Sequence, residues 1–186
     1  MQLIDKPNAY GFVTRTLHWG MAVLFLAQFM SASARALLPR GNEIRDSLWS
    51  YHTDLGVTLF LLVMLRGAWG LANLSNRPGH AEDFIGKAAK VGHVALYALM
   101  LVVPATRILA SAGSERGLRY FGFQALPPRQ VEIAWMQIPA ELHGELGWLL
   151  AFVALGHILM AICWHRLVKK DNTLARMIGW PKNPST

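Results

Sequence analysis

Four runs of apolar residues, each long enough to cross a bilayer as a helix, dominate this chain of 186 residues. A helical span needs about 20 mostly apolar residues. The first run reads from about 16 to 38 and ends at Pro39-Arg40-Gly41. The second reads from about 47 to 71 and ends before Asn73 and the turn-forming Arg77-Pro78-Gly79. The third reads from about 91 to 112, and its Pro104 is expected to kink it without ending it. The fourth reads from about 142 to 168, with Pro139 before Glu141 as its start and Lys169-Lys170-Asp171-Asn172 as its stop. The expected fold is all-α: a single membrane domain over residues 1–186, built as an integral membrane four-helix bundle. A long connector, 113–140, joins the third and fourth helices, and its Phe121, Phe123, Trp135 and Met136 suggest a segment lying along the membrane surface.

The chain is 53% hydrophobic and still carries a net charge of +7. The charges cluster between the apolar runs, not along one face, so this is a membrane protein with charged loops and no nucleic-acid binder. Cys163 is the only cysteine, which excludes an internal disulfide and a cysteine-built metal site. C-x-x-C-H is absent, so any haem is held without thioether links.

With four spans, both termini and the second loop share one side. That side carries eleven of the 18 cations, among them all six lysines, against Asp5, Glu82, Asp83 and Asp171; it nets +7. The other side carries seven arginines against seven acids and nets zero. The positive-inside rule then makes both termini cytoplasmic and the long connector periplasmic. Trp19, Trp49, Trp69, Trp148 and Trp164 fall near span ends, as interfacial belts do.

Ionisable groups inside spans are costly and are functional candidates by default. Five of the seven histidines lie in or at the edges of spans: His18, His52, His93, His143 and His157. Imidazole is a common axial ligand of haem iron, and helix bundles build such sites from facing side chains. His143 and His157 are 14 residues apart on one helix, about 21 Å along the axis and within roughly 40° of one direction. They therefore serve two haems stacked along the membrane normal. His52 opens the second helix on the periplasmic side and matches His143 in depth. His18 opens the first helix on the cytoplasmic side and matches His157, but His93 lies at the same level and competes with it. A single buried histidine is ordinarily a packing residue; two on one face of one span, each with a depth-matched partner, are not. Zinc, the chemical rival, would want further ligands near each pair.

The segments around these residues resemble the bacterial cytochrome b561 family. The matching stretches are Arg15-Thr16-Leu17-His18-Trp19, Tyr51-His52-Thr53-Asp54-Leu55-Gly56, Gly92-His93-Val94-Ala95-Leu96-Tyr97, Leu142-His143-Gly144-Glu145-Leu146-Gly147 with Gly156-His157, and the tail Lys170-Asp171-Asn172-Thr173-Leu174-Ala175-Arg176-Met177. The resemblance runs over about 10–178. It implies a bacterial inner-membrane, multi-pass protein with two non-covalent haem b groups, ligated by His52/His143 and His18/His157. It also implies that His93 lies near the cytoplasmic haem or a quinone site and is not a ligand.

Paired imidazoles fill both axial positions, so the irons are expected to pass electrons and not to bind oxygen. Arg15, Lys87, Lys90, Arg166 and Lys169 are candidates for pairing haem propionates or headgroups, against plain positive-inside anchoring. Trp164 and His165 lie beyond His157, where a quinone headgroup would dock; interfacial anchoring accounts for them equally. Asp54 and Glu145 read either as partners of the ligands or as helix-start acids facing the dipole. The resemblance implies a superoxide:ubiquinone oxidoreductase. A local cationic patch would steer superoxide, with Arg107 at the end of the third span as the residue expected to act on it, against snorkelling arginines paired with the seven acids. The alternative function is a haem-carrying anchor subunit that relays electrons from a partner dehydrogenase or soluble cytochrome to the quinone pool. A third reading is a non-redox haem sensor or structural membrane protein, which bis-histidine pairs at two depths disfavour.

Overall fold

The computed structural model describes residues 2–78 and 83–179. Gly79 of the turn and Glu82 and Lys182 of the charge balance lie outside the described residues. The chain folds into α1 (Phe12–Leu37), α2 (Glu43–Ser50), α3 (His52–Ala72), α4 (Phe84–Ala112), α5 (Ala134–Glu141), α6 (His143–Leu159) and α7 (Thr173–Ile178). A two-stranded hairpin, β1 (Leu118–Tyr120) and β2 (Phe123–Leu126), interrupts the connector.

Four stretches are long and apolar enough to span: Phe12–Leu37, Glu43–Ala72, Phe84–Ala112 and Ala134–Val168. No more than 22% of any of their most apolar windows is buried inside the protein. So much outward-facing apolar surface would be untenable in water and is what lipid covers. The interior is small, with Met21, Val63, Met100, Val103 and Leu150 forming the buried cluster.

The helices begin earlier than hydropathy alone indicates, because caps and not apolarity set their starts. Asp83 accepts from the backbone N–H of Gly86 at 2.7 Å and starts α4 ahead of Lys87 and Lys90. Asn42 accepts from Ile44 and Arg45 and starts α2. The second span breaks at Tyr51 into α2 and α3, and α4 runs through Pro104 without ending. Pro139 does not open the fourth span; it sits within α5, and α6 begins four residues later after a break at Leu142. Residues Met160–Val168 continue α6 as a π-helix, in which the N–H of Lys169 reaches the carbonyl of Trp164. The connector is a hairpin followed by a helix.

Packing runs in a row: α1 on α3, α3 on α4, and α4 on α6. Among the described residues, α1 and α6, and likewise α3 and α6, make at most marginal backbone contact. One end of the bundle holds the N-terminal segment and α7 (the terminal end); the other holds α2, the hairpin and α5 (the connector end). At the terminal end Asp5, only 2% exposed, takes the N–H of Gly11, the Thr14 hydroxyl and Nε of Arg77. This carboxylate supplies the first turn of α1 with an acceptor and a negative charge that its own cap residue, glycine, lacks.

Candidate functional site

Each end of the bundle brings two imidazoles opposite one another from helices that barely touch. At the connector end the rings of His52 (α3) and His143 (α6) have centres 6.3 Å apart with planes at 77°. At the terminal end those of His18 (α1) and His157 (α6) are also 6.3 Å apart, at 90°. A metal–imidazole bond of about 2.0 Å on each side, plus two ring radii, places ring centres about 6 Å apart. Both separations therefore fit one metal atom between the rings. His93 (α4) comes to 5.2 Å from the His157 ring, too close for a metal on the line between them. The unbroken helix from His143 to Leu159 keeps the two ends about 21 Å apart along α6.

Protonation follows from the hydrogen bonds at the connector end. The carbonyl of Val103 can only accept, so His143 Nδ1 carries the proton and donates to it at 2.9 Å. The Ser31 hydroxyl donates to the carbonyl of Gln28 at 2.7 Å, so its oxygen accepts from His52 Nδ1–H, also at 2.7 Å. In both rings Nε2 is then the basic nitrogen, the tautomer a metal ligand needs. The Nε2 lone pair of His52 takes an N–H of Gln28 at 3.2 Å, while Gln28 Oε1 is buried with no partner. A lone pair serves one partner at a time, so the Gln28 amide marks the point where a metal would bind. Trp49 stacks on His52 at 4.3 Å and 21°, and the Arg35 guanidinium lies 4.1 Å from the centre of that indole.

The terminal end is built differently. His18 Nδ1 is buried without a hydrogen bond, and Trp19 tilts against its ring at 5.2 Å. His93 Nδ1–H donates to the carbonyl of Ala89 at 2.7 Å. Nε of Arg15, Nε of Arg66 and Nε1 of Trp164 are all buried donors without an acceptor. Unsatisfied buried donors are rare in native proteins and call for an unseen acceptor; haem propionates or a quinone carbonyl supply that chemistry. The donor set at both ends fits haem.

Of the residues predicted from sequence, His18, His52, His143 and His157 come together in the expected pairs, and His93 joins the terminal pair as a third ring. Arg15 also donates from Nη1 to the carbonyl of Ile178 at 3.1 Å. Arg107 is exposed and lies within electrostatic range of both His52 and His143. Asp54 is a partner of the connector hairpin, accepting from Phe121 N–H at 2.9 Å; Glu145 is exposed in the first turn of α6. His165 donates from Nδ1 to Asp171 at 2.8 Å, so it braces the exit of the π-helix. Sequence reasoning missed Gln28, Ser31, Trp49 and Arg66 as site residues. Gln28 and Ser31 are polar residues three apart in an apolar run, hence on one helix face, and that spacing was the available signal.

The family model for prokaryotic cytochrome b561 matches residues 9–180. Two relatives from Escherichia coli (strain K12) are similar almost end to end. Cytochrome b561 homolog 2 is 25% identical over 183 residues, 96% of this chain and 96% of its own length. Cytochrome b561 homolog 1 is 25% identical over 170 residues, 87% of this chain and 92% of its own.

Proposed function

The chain belongs to the prokaryotic cytochrome b561 family, haem b electron carriers of the bacterial inner membrane, and from that premise we propose that it oxidises periplasmic superoxide and reduces ubiquinone. The observation that carries this reading is the repetition of one geometry, two imidazoles 6.3 Å apart, at both ends of the span. His52 with His143, and His18 with His157, would each hold one haem b. When bound, such groups would supply reversible one-electron transfer.

The chain's own residues do the rest. Val103 and Ser31 fix the connector-end imidazoles in the ligating tautomer. Arg107 draws a small anion toward that end, which the lysine bias makes periplasmic. Each superoxide leaves as dioxygen after giving up one electron. At the cytoplasmic end, two electrons and two protons convert one quinone to quinol. There the buried N–H of Trp164 and the Arg15 and Arg66 guanidinium groups are donors for a quinone carbonyl or a haem propionate. His93, whose Nδ1–H is held by the Ala89 carbonyl, would relay protons: its imidazole takes up a proton from the cytoplasmic side and gives it to the reduced headgroup.

The test is a superoxide pulse under anaerobic conditions on the purified protein. Fast haem reduction, reversed on adding ubiquinone, is the expected result. Reduction that requires a partner dehydrogenase or soluble cytochrome would make the chain an anchor subunit instead.

A further inference from the structure

The connector hairpin is attached to α3 below the level of His52, not above it. Phe121 N–H donates to Asp54 at 2.9 Å, and the hydroxyls of Tyr120 and Thr58 share a hydrogen bond of 3.1 Å. Asp54 and Thr58 are two and six residues past His52, which places these attachments about 3 and 9 Å further along the helix. Asp54 lies in the first turn of α3 and Thr58 in the second, both inside the apolar stretch Glu43–Ala72. Where that stretch enters the bilayer, a loop fastened to its first two turns enters with it.

The hairpin is made for that position. Its turn, Phe121-Gly122, has φ of 45° and 82°, both left-handed, as a tight two-residue hairpin turn requires. The turn throws Phe121 and Phe123 outward, 61% and 79% exposed, while Leu118 is buried against the helices. Backbone groups that water would otherwise serve are met internally: Gln124 Nε2 faces the carbonyls of Leu126, Arg116 and Leu118 at 2.6, 3.3 and 3.4 Å. On the inner side a cleft of about 380 Å³ is lined by Ser50, Thr53, Asp54, Ser111 and Arg119. Non-helical backbone at membrane depth is tolerated where it is packed on protein or lines a water-filled cavity; this hairpin packs on α3 and α4 and lines a cleft with polar walls.

We propose that the hairpin is re-entrant: Phe121 and Phe123 lie in the lipid interface, and its inner face walls an aqueous vestibule against the first turn of α3, the turn that carries His52. The vestibule lets water and small polar solutes descend to the level of that imidazole while the aromatic face keeps lipid out. The proposal does not depend on which donor the protein uses.

Cysteine accessibility tests it, since Cys163 is the only cysteine to remove. In a Cys163→Ser background in proteoliposomes, Phe123→Cys and Ser111→Cys are each treated with a charged, lipid-insoluble maleimide and with an apolar one. Gln130→Cys, exposed beyond the end of α4, is the aqueous control. Phe123→Cys is expected to react with the apolar reagent and about ten-fold or more slowly with the charged one relative to the control. Ser111→Cys is expected to react with the charged reagent. Control-like labelling of Phe123→Cys by the charged reagent would overturn the lipid contact, and an inert Ser111→Cys would overturn the vestibule. Should Phe123→Cys lose its haem spectrum, Phe121→Cys reads the same face.

Discussion

The two imidazole pairs share one ring separation and almost nothing else. At the connector end both rings are anchored through Nδ1, to the Ser31 hydroxyl and the Val103 carbonyl, and an indole lies flat on His52. At the terminal end His18 has no Nδ1 partner, a third imidazole stands 5.2 Å from His157, and α6 loosens into a π-helix three residues later. π-Turns inside helices mark functional positions because they free backbone groups and let side chains shift. The difference teaches that the connector-end pair is rigidly preset, whereas the terminal pair is held by fewer contacts, as the quinone chemistry proposed for that end requires.

The largest test of that contrast is removal of a ligand. His52→Ala or His143→Ala is expected to cut haem from two per chain to one, measured as pyridine haemochrome, and His18→Ala or His157→Ala to do the same at the other end. Retention of two haems in all four variants would break the pairing. His93→Ala is expected to keep both haems while quinone-dependent reoxidation slows; loss of a haem would make His93 the ligand in place of His18. Next in size, Ser31→Ala leaves the His52 N–H without its acceptor in a fully buried position. Such supporting contacts cost about 10-fold or more in metal-site affinity, so haem titration should show one weakened site and one unchanged.

The smallest expected effect concerns the tail. Slight burial pushes the Asp171 carboxyl up, but hydrogen bonds from His165 and Thr173 outweigh it and hold it down to about 2. A depressed carboxylate stabilises the fold above its unfolded value, about 3.9, and the contribution disappears as pH falls toward 2. Proteolysis of the 169–179 region should therefore be modestly faster in Asp171→Asn at pH 7, with the difference shrinking below about pH 4 and gone at about pH 2.

Most of the fold was legible because a span leaves a hydropathy signal that no other structure imitates, and the histidines were legible because charge inside a span is conspicuous. Helix starts were not, since Lys87 and Lys90 interrupt the apolar run where α4 is already helical: hydropathy reports what sits in lipid, hydrogen bonding reports what is helical. The break at Tyr51 and the π-helix after Leu159 have no proline or glycine to announce them. The hairpin was hidden because its strands are three and four residues long. Trp49 was read as an interfacial belt residue; stacking on His52 depends on the α2–α3 bend, which no periodicity encodes.

One contact of the tail has a wider consequence. The helices stand in a row, with α1 and α6 at its two margins, and it is across this open seam that His18 meets His157. The hydrogen bonds from Arg15 to the carbonyl of Ile178 and from Trp19 to that of Met177 join the margins from outside. They connect residues more than 150 positions apart, a closure whose entropic cost grows only logarithmically with length. The tail acts as a clasp: it ties the start of α1 to the end of the fourth span and limits how far apart the two ligands on those helices can drift.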